Sequence, residues 1–175
     1  MLFTRGFSSI AELNEGVFMA GKKAEIGKSV PAFKLDATSE TKVQLTKLKG
    51  KKVVIYFYPK DNTPGCTTES NDFSDNYKKF QKAGAEIYGV SRDSIKSHEN
   101  FKEKFNFPFE LISDPEEELC SIFDVIKEKN MYGKKYMGVE RSTFVIDEKG
   151  KLIKEWRRVK VPGHVEEVLD FVKNN

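Results

Sequence analysis

The chain has 175 residues, the size of one domain, with 38% hydrophobic and 33% charged residues, enough to bury a core without disulfides or a structural metal. Thirty lysines and arginines against 27 aspartates and glutamates leave a net charge of +3, and the two signs alternate along the chain, so no basic face for nucleic acid is indicated. No apolar run approaches the roughly 18 residues that a membrane span requires.

Residues 1–26 read as a leader or extension. Positions 1–9 (MLFTRGFSS) resemble the end of a mitochondrial presequence, although the acids Glu12 and Glu15 follow at once, where such segments avoid acids. The domain proper is expected at 27–175, where GKSVPAFKLDA leads through a proline into a strand at 33–37. LTKLKG at 45–50 closes on a glycine. The next run, 53–58 (VVIYFY), is continuously β-branched and aromatic, the signature of a central strand buried on both faces. It ends at Pro59. Apolar residues then recur at helical spacing over 73–80 (FSDNYKKF) until Gly84 stops the helix. A strand at 86–91, a helix at 94–105, a strand at 109–112 and a helix from Asp114-Pro115 through 118–123 follow. Strands 143–146 and 152–156 flank a turn at Glu148-Lys149-Gly150 and form an antiparallel hairpin, and a last helix covers 164–173. A mixed sheet with helices on its faces, a central βαβ unit and a C-terminal hairpin and helix make an α/β domain of thioredoxin-like layout.

The chemistry is concentrated at 59–70 (PKDNTPGCTTES), between the most buried strand and its helix. Thr63 suits a helix N-cap, Pro64 suits the first helical position, and Gly65 and Cys66 complete the first turn. Cys66 then lies among N–H groups without helical acceptors, at the positive end of the helix dipole, where thiolate is favoured over thiol. A cysteine beside a strand end can also be a small buried hydrophobe, but a capped, proline-started, glycine-opened turn is the setting that thiolates need. The sparse use of cysteine, Cys66 and Cys120 alone, excludes a secreted disulfide scaffold. It points to an intracellular, reducing setting, the cytoplasm first, with the mitochondrion or nucleus as alternatives.

PKDNTPGCTTES, preceded by FYP, resembles the peroxiredoxins, in particular the bacterioferritin-comigratory or peroxiredoxin Q branch. The similarity continues in GVSRDSIKSH (89–98), LISDP (111–115), GVERSTFVID (138–147) and VKVPGHVEEVL (159–169), and covers about 27–173. The resemblance implies a thiol peroxidase without a cofactor or metal. In it Cys66 attacks a hydroperoxide, Thr63 hydrogen-bonds the thiolate and the peroxide, Pro59 shields the site, and Arg141 stabilises the thiolate and the leaving oxygen. Read from the residues alone, Thr63 is an N-cap, Pro59 a strand terminator and Arg141 one of many arginines.

Many members of this branch carry a resolving cysteine five residues after the first, and here that position is Asn71. Cys120 lies on the apolar stripe of EEELCSIF and reads as structural. The expectation is a one-cysteine cycle in a monomer, resolved by thioredoxin, glutaredoxin or glutathione. A thioredoxin-type dithiol is disfavoured because Glu69 stands where the second cysteine belongs. A peroxide sensor or holdase that relays oxidation from Cys66 to a partner is the alternative. Three weaker signals carry nothing: Gly27-Lys28-Ser29 lacks the register of a phosphate loop, His98 and His164 lack metal-ligand spacing, and Arg157-Arg158-Lys160 beside Trp156 reads as a charged hairpin edge.

Overall fold

A computed structural model describes residues 22–175, so positions 1–9 and the acids Glu12 and Glu15 lie outside the described residues. In chain order the elements are β1 (Lys34–Ala37), β2 (Thr41–Gln44), a 3-10 turn (Leu45–Lys47), β3 (Lys52–Phe57), α1 (Pro64–Lys82), β4 (Ala85–Ser91) and α2 (Ile95–Phe105). Then come β5 (Glu110–Ser113), α3 (Glu118–Ile122), β6 (Ile126–Met131), β7 (Lys134–Val139), β8 (Ser142–Ile146), β9 (Leu152–Trp156) and α4 (His164–Asn174). Seven strands form one sheet in the order β2-β1-β5-β4-β3-β8-β9, and β6 and β7 form a separate two-stranded sheet.

The sheet is mixed. β3 pairs parallel with β4 and β4 with β5, whereas β8 runs antiparallel to β3 and β9 antiparallel to β8. Parallel neighbours need long crossovers, and α1 and α2 supply them. β3 sits near the middle, and its alternate side chains feed two separate cores. Val53, Ile55 and Phe57 join the core that holds Leu119, Cys120, Phe123 and Phe144. Val54, Tyr56 and Tyr58 join the other, with Cys66, Phe73, Phe101 and Val168. The expected strand, buried on both faces, is therefore the partition between them.

Helix α1 carries the candidate nucleophile and is fixed to the sheet by aromatic packing. Phe73, fully buried, stacks on Tyr56 at 4.5 Å, and the Tyr56 hydroxyl donates to Ser70 Oγ at 2.9 Å. Burying a side chain of this size contributes about 1.5–3 kcal/mol. The helix ends where Gly84 adopts φ +78°, a left-handed turn that glycine takes without strain.

Tyr56 can lie where it does because Gly89 on β4 has no side chain. A Cβ there would come within 2.7 Å of Leu111 Cδ2 and 2.8 Å of the Tyr56 ring. Gly89→Ala is therefore expected to lower stability by about 1–3 kcal/mol in urea denaturation, as overpacked cores do; an unchanged midpoint would show that the Tyr56 strut is dispensable.

Candidate active site

The site is built where β3 gives way to α1 and where β8 begins. Thr63 occupies the N-cap position of α1 with extended backbone (φ −84°, ψ 154°), and Pro64 follows at the helix start. The first helical bond runs from Thr67 N–H to Thr63 O at 2.9 Å. The side chain of Thr63 does not cap the helix as its position suggested: its hydroxyl donates to Lys60 O at 2.9 Å and ties the loop to itself. The N–H groups of Gly65 and Cys66 are left in the first turn without helical acceptors.

Cys66 is 1% exposed. Its sulfur accepts a hydrogen bond from Arg141 Nη2 at 3.4 Å, and Arg141 Nη1 donates to Glu69 Oε1 at 2.8 Å. Arg141 thus reaches from the chain just before β8 to two residues three apart on α1, which share one helix face. The approach is close enough that a Cβ on Gly65 would meet Arg141 Nη2 at 3.1 Å, so glycine at this position leaves room for the guanidinium.

Glu69 is a site neighbour that the sequence did not disclose. A glutamate mid-helix reads as solvated, yet its side chain is fully buried, and Oε2 has no hydrogen-bond partner among the described residues. Its spacing of three from Cys66 was the available signal. Burial raises its pKa to about 7, against the opposing pull of Arg141. Burial also opposes the charge on Arg141, but Glu69 and Cys66 outweigh it and hold the guanidinium's pKa above its ordinary value. The pair therefore titrates through Glu69.

A second network braces the loop between Pro59 and Thr63. Asp61 accepts from the Tyr58 hydroxyl at 2.6 Å and from Ser97 Oγ at 2.8 Å, and its N–H donates to Asp93 Oδ2 at 2.9 Å. His98, fully buried, places Nδ1 at 2.7 Å from Asp61 Oδ2 and Nε2 at 2.9 Å from Ile112 O. The histidine therefore joins α2 and β5 to the active-site loop. Asp61, Asp93 and His98 each bring one potential metal-ligand atom within 4.8 Å of the others, but these atoms are committed to the hydrogen bonds just described. His164, at the start of α4, lies 2.8 Å from Thr143 Oγ1, and burial lowers its pKa to about 4.

Cys120 lies in the core on the opposite face of the sheet from Cys66. It is fully buried, its N–H donates to Asp114 Oδ2 at 2.8 Å, and burial followed by Asp114 pushes its thiol pKa well up. Both cysteines are free. The structure thus brings Arg141 to Cys66, keeps Thr63 and Pro59 in the adjoining loop, and leaves Cys120 apart. Gly27-Lys28-Ser29 lies in a turn, with Ser29 bridged to Lys151 and no helix after it.

Residues 26–155 match the AhpC/TSA family. The chain is 53% identical over 150 residues to peroxiredoxin Bcp of Bacillus subtilis, covering 86% of this chain and 96% of that one. It is 55% identical over 139 residues to peroxiredoxin Bcp of Xanthomonas campestris, covering 79% and 87%. The solved structure of X. campestris peroxiredoxin Q superposes with a TM-score of 0.79 at 53% identity, over 82% of this chain and 90% of that one. A structure of the bacterioferritin comigratory protein of the same organism, which concerns its alkyl peroxide reduction activity, gives 0.78 at 53% identity over 81% and 90%. The chain belongs to the AhpC/TSA family, and within it to the peroxiredoxins of the Bcp or peroxiredoxin Q branch. The likeness extends over the α/β sheet and its helices, the thioredoxin-like layout expected from the strand and helix pattern.

The raised pKa of Glu69 has a consequence for stability. An acid whose folded pKa of about 7 exceeds the ordinary 4.5 binds its proton more tightly in the folded chain. Its favourable contribution is complete below the ordinary value and is lost as pH rises through the folded one. The stability of the parent relative to Glu69→Gln should fall by a few kcal/mol between roughly pH 4.5 and 7 and level off above that. Urea denaturation of both proteins across this range measures it; a difference independent of pH would mean that Glu69 is ionised throughout.

Proposed function

We propose that Cys66 is the nucleophile of this thiol-dependent peroxidase. The Cys66 thiolate attacks the terminal oxygen of a hydroperoxide, forming an S–O bond as the O–O bond breaks. The sulfur becomes a sulfenic acid, and the leaving alkoxide or hydroxide takes up a proton as alcohol or water. The hydrogen bond from Arg141 Nη2 to Cys66 Sγ at 3.4 Å carries this reading, because it puts a fixed positive charge where the thiolate and the leaving oxygen need one. Glu69 holds the other arm of that guanidinium. The Thr63 hydroxyl spends its single proton on Lys60 O, so its lone pairs are available to accept a hydrogen bond from the incoming peroxide. Pro59 closes the strand and shapes the loop beside it. Hydrogen peroxide and alkyl hydroperoxides are the proposed substrates.

Resolution is proposed to be external. Asn71 stands where the resemblance places a resolving cysteine, and the sheet separates Cys66 from Cys120. An external thiol, from thioredoxin, glutaredoxin or glutathione, attacks the sulfenic sulfur, forming a mixed disulfide and releasing water. A second thiol then displaces the Cys66 thiolate. A sulfur 1% exposed admits a small peroxide more readily than a protein thiol, so the first turn of α1 unwinds for this step. The chain is taken to act as a monomer, without cofactor, metal or nucleic acid. Two free cysteines fit a cytoplasmic, reducing setting. Among the described residues no helix is long and apolar enough to cross a membrane.

Cys66→Ser should abolish peroxide consumption while the protein stays folded, since a neutral hydroxyl of similar size is a far poorer nucleophile. Undiminished consumption by that variant would end the mechanism. Cys120→Ser should keep steady-state turnover with dithiothreitol, with some loss of stability from a hydroxyl placed in an apolar core. A variant that stalls after one turnover would assign the resolving role to Cys120 and require large-scale unfolding of the sheet.

A further inference from the structure

The hairpin of β6 and β7 stands outside the main sheet, and none of its residues takes part in the chemistry above. Of the five large hydrophobic side chains exposed among the described residues, four lie on it: Met131 at 56%, Tyr132 at 99%, Tyr136 at 42% and Met137 at 56%. Such a concentration marks an interaction surface, whereas single exposed apolar residues do not. The turn sharpens the point. Tyr132 and Gly133 connect the strands with φ +53° and +79°, the left-handed pair of a two-residue turn in which the first position favours asparagine, aspartate or glycine. Tyrosine there is both fully exposed and conformationally strained.

The register sorts the hairpin into two faces. Lys127 pairs with Gly138, Lys129 with Tyr136 and Met131 with Lys134, so these residues share one face. That face is apolar and basic, and the hairpin's one acid, Glu128, lies on the other. The Lys129 stem crosses Gly138, whose Cβ would lie 3.3 Å from Lys129 Cδ. Its ammonium is close enough to the active site to feel Arg141 and Cys66: burial first and then Arg141 lower its pKa, while Cys66 opposes them. The base of the hairpin is closed by Glu140 N–H donating to Val125 O at 2.7 Å, and Arg141 is the next residue. The hairpin thus ends two residues before Arg141.

We propose that this hairpin is the docking arm for the reductant, an acidic protein bearing a reactive dithiol that seats on Met131, Tyr132 and Tyr136 with its carboxylates against the lysines. Docked there, it presents one thiol to the Cys66 sulfenic acid: an S–S bond forms, the S–O bond breaks and water leaves. Its second thiol then releases Cys66 as thiolate and carries away the disulfide. The inference rests on the external resolution proposed above. On this face Lys127 is paired with Asp124 at 3.1 Å, while Lys129 and Lys134 stand without an ion pair among the described residues, and Lys135 pairs with Glu128 at 3.7 Å on the other face. The two unpaired lysines set the sign of the partner, since complementary charge speeds encounter and fixes orientation.

The test compares two reductants with hydrogen peroxide as substrate: dithiothreitol, and a thioredoxin of acidic isoelectric point recycled by its reductase and NADPH. Tyr132→Asn and the double variant Met131→Ser/Tyr136→Ser should each raise the KM for thioredoxin about tenfold. Turnover with dithiothreitol and the rate of Cys66 oxidation should stay at parent values. Tyr132→Asn should also raise the melting temperature, because Asn-Gly suits the turn, so its defect cannot come from unfolding. The parent's KM for thioredoxin should rise with salt. An unchanged KM in both variants overturns the proposal, as does a parent that turns over with dithiothreitol but not with thioredoxin. Equal losses with both reductants would make the arm a support for the site. A dimer of the parent in sedimentation, lost in the variants, would assign the face to a second copy. Failure of the parent with either reductant would instead refute the external cycle on which the inference rests.

Discussion

Arg141 is held between two side chains of α1, the sulfur of Cys66 at 3.4 Å and the carboxylate of Glu69 at 2.8 Å, and the site depends on that arrangement. A guanidinium has the fixed fork needed to serve both partners at once. The arrangement exists only because β8 lies antiparallel beside β3, so that the chain entering β8 passes the start of the helix leaving β3. The carboxylate is expensive to bury, and its raised pKa reflects that. Its orphaned Oε2 shows that one oxygen is engaged and the other is not. A buried carboxylate with one partner is a poor device for stability and a good one for aiming an arginine.

The sheet imposes the second constraint. Because successive residues of β3 point to opposite faces, the one strand supplies both cores and keeps them apart. Cys66 and Cys120 belong to different sides, and each is packed among aromatic and aliphatic neighbours. A disulfide between them needs Cα atoms within roughly 7 Å and suitable Cβ directions, which the intact partition denies. Local opening at the helix start is a smaller event than rupture of that partition. The external resolution proposed for Cys66 needs only that smaller opening.

Much of this was legible in the sequence because the relevant residues combine strong local signals. The run 53–58 has no polar interruption, Thr63-Pro64 marks a helix start, and Gly84 marks its end. What escaped did so for identifiable reasons. β2 is short, and its pattern of one buried residue in four gives no alternation to detect. The β6 and β7 hairpin lies off the core with most of its side chains in solvent, so it shows no period-two burial, and Tyr-Gly at its turn lacks the asparagine or aspartate that announces such hairpins. Glu69 looked like any helical glutamate, since its partner Arg141 lies 72 positions away. Thr63 was correctly placed as an N-cap, but its hydroxyl chose the nearer Lys60 carbonyl. His98 gave no hint that Asp61, thirty-seven residues earlier, was its partner.

A single reactive sulfur, Cys66, resolved from outside, is the core of the proposed cycle. Its most direct test is mass spectrometry of the intact reduced protein after one equivalent of hydrogen peroxide, with Cys66 and Cys120 then located by peptide mapping. The expected result is one added oxygen on Cys66, captured as the dione adduct of a sulfenic acid, with Cys120 still a free thiol. Loss of two hydrogens with Cys66 linked to Cys120, or oxygen found on Cys120 while Cys66 remains unmodified, would contradict it.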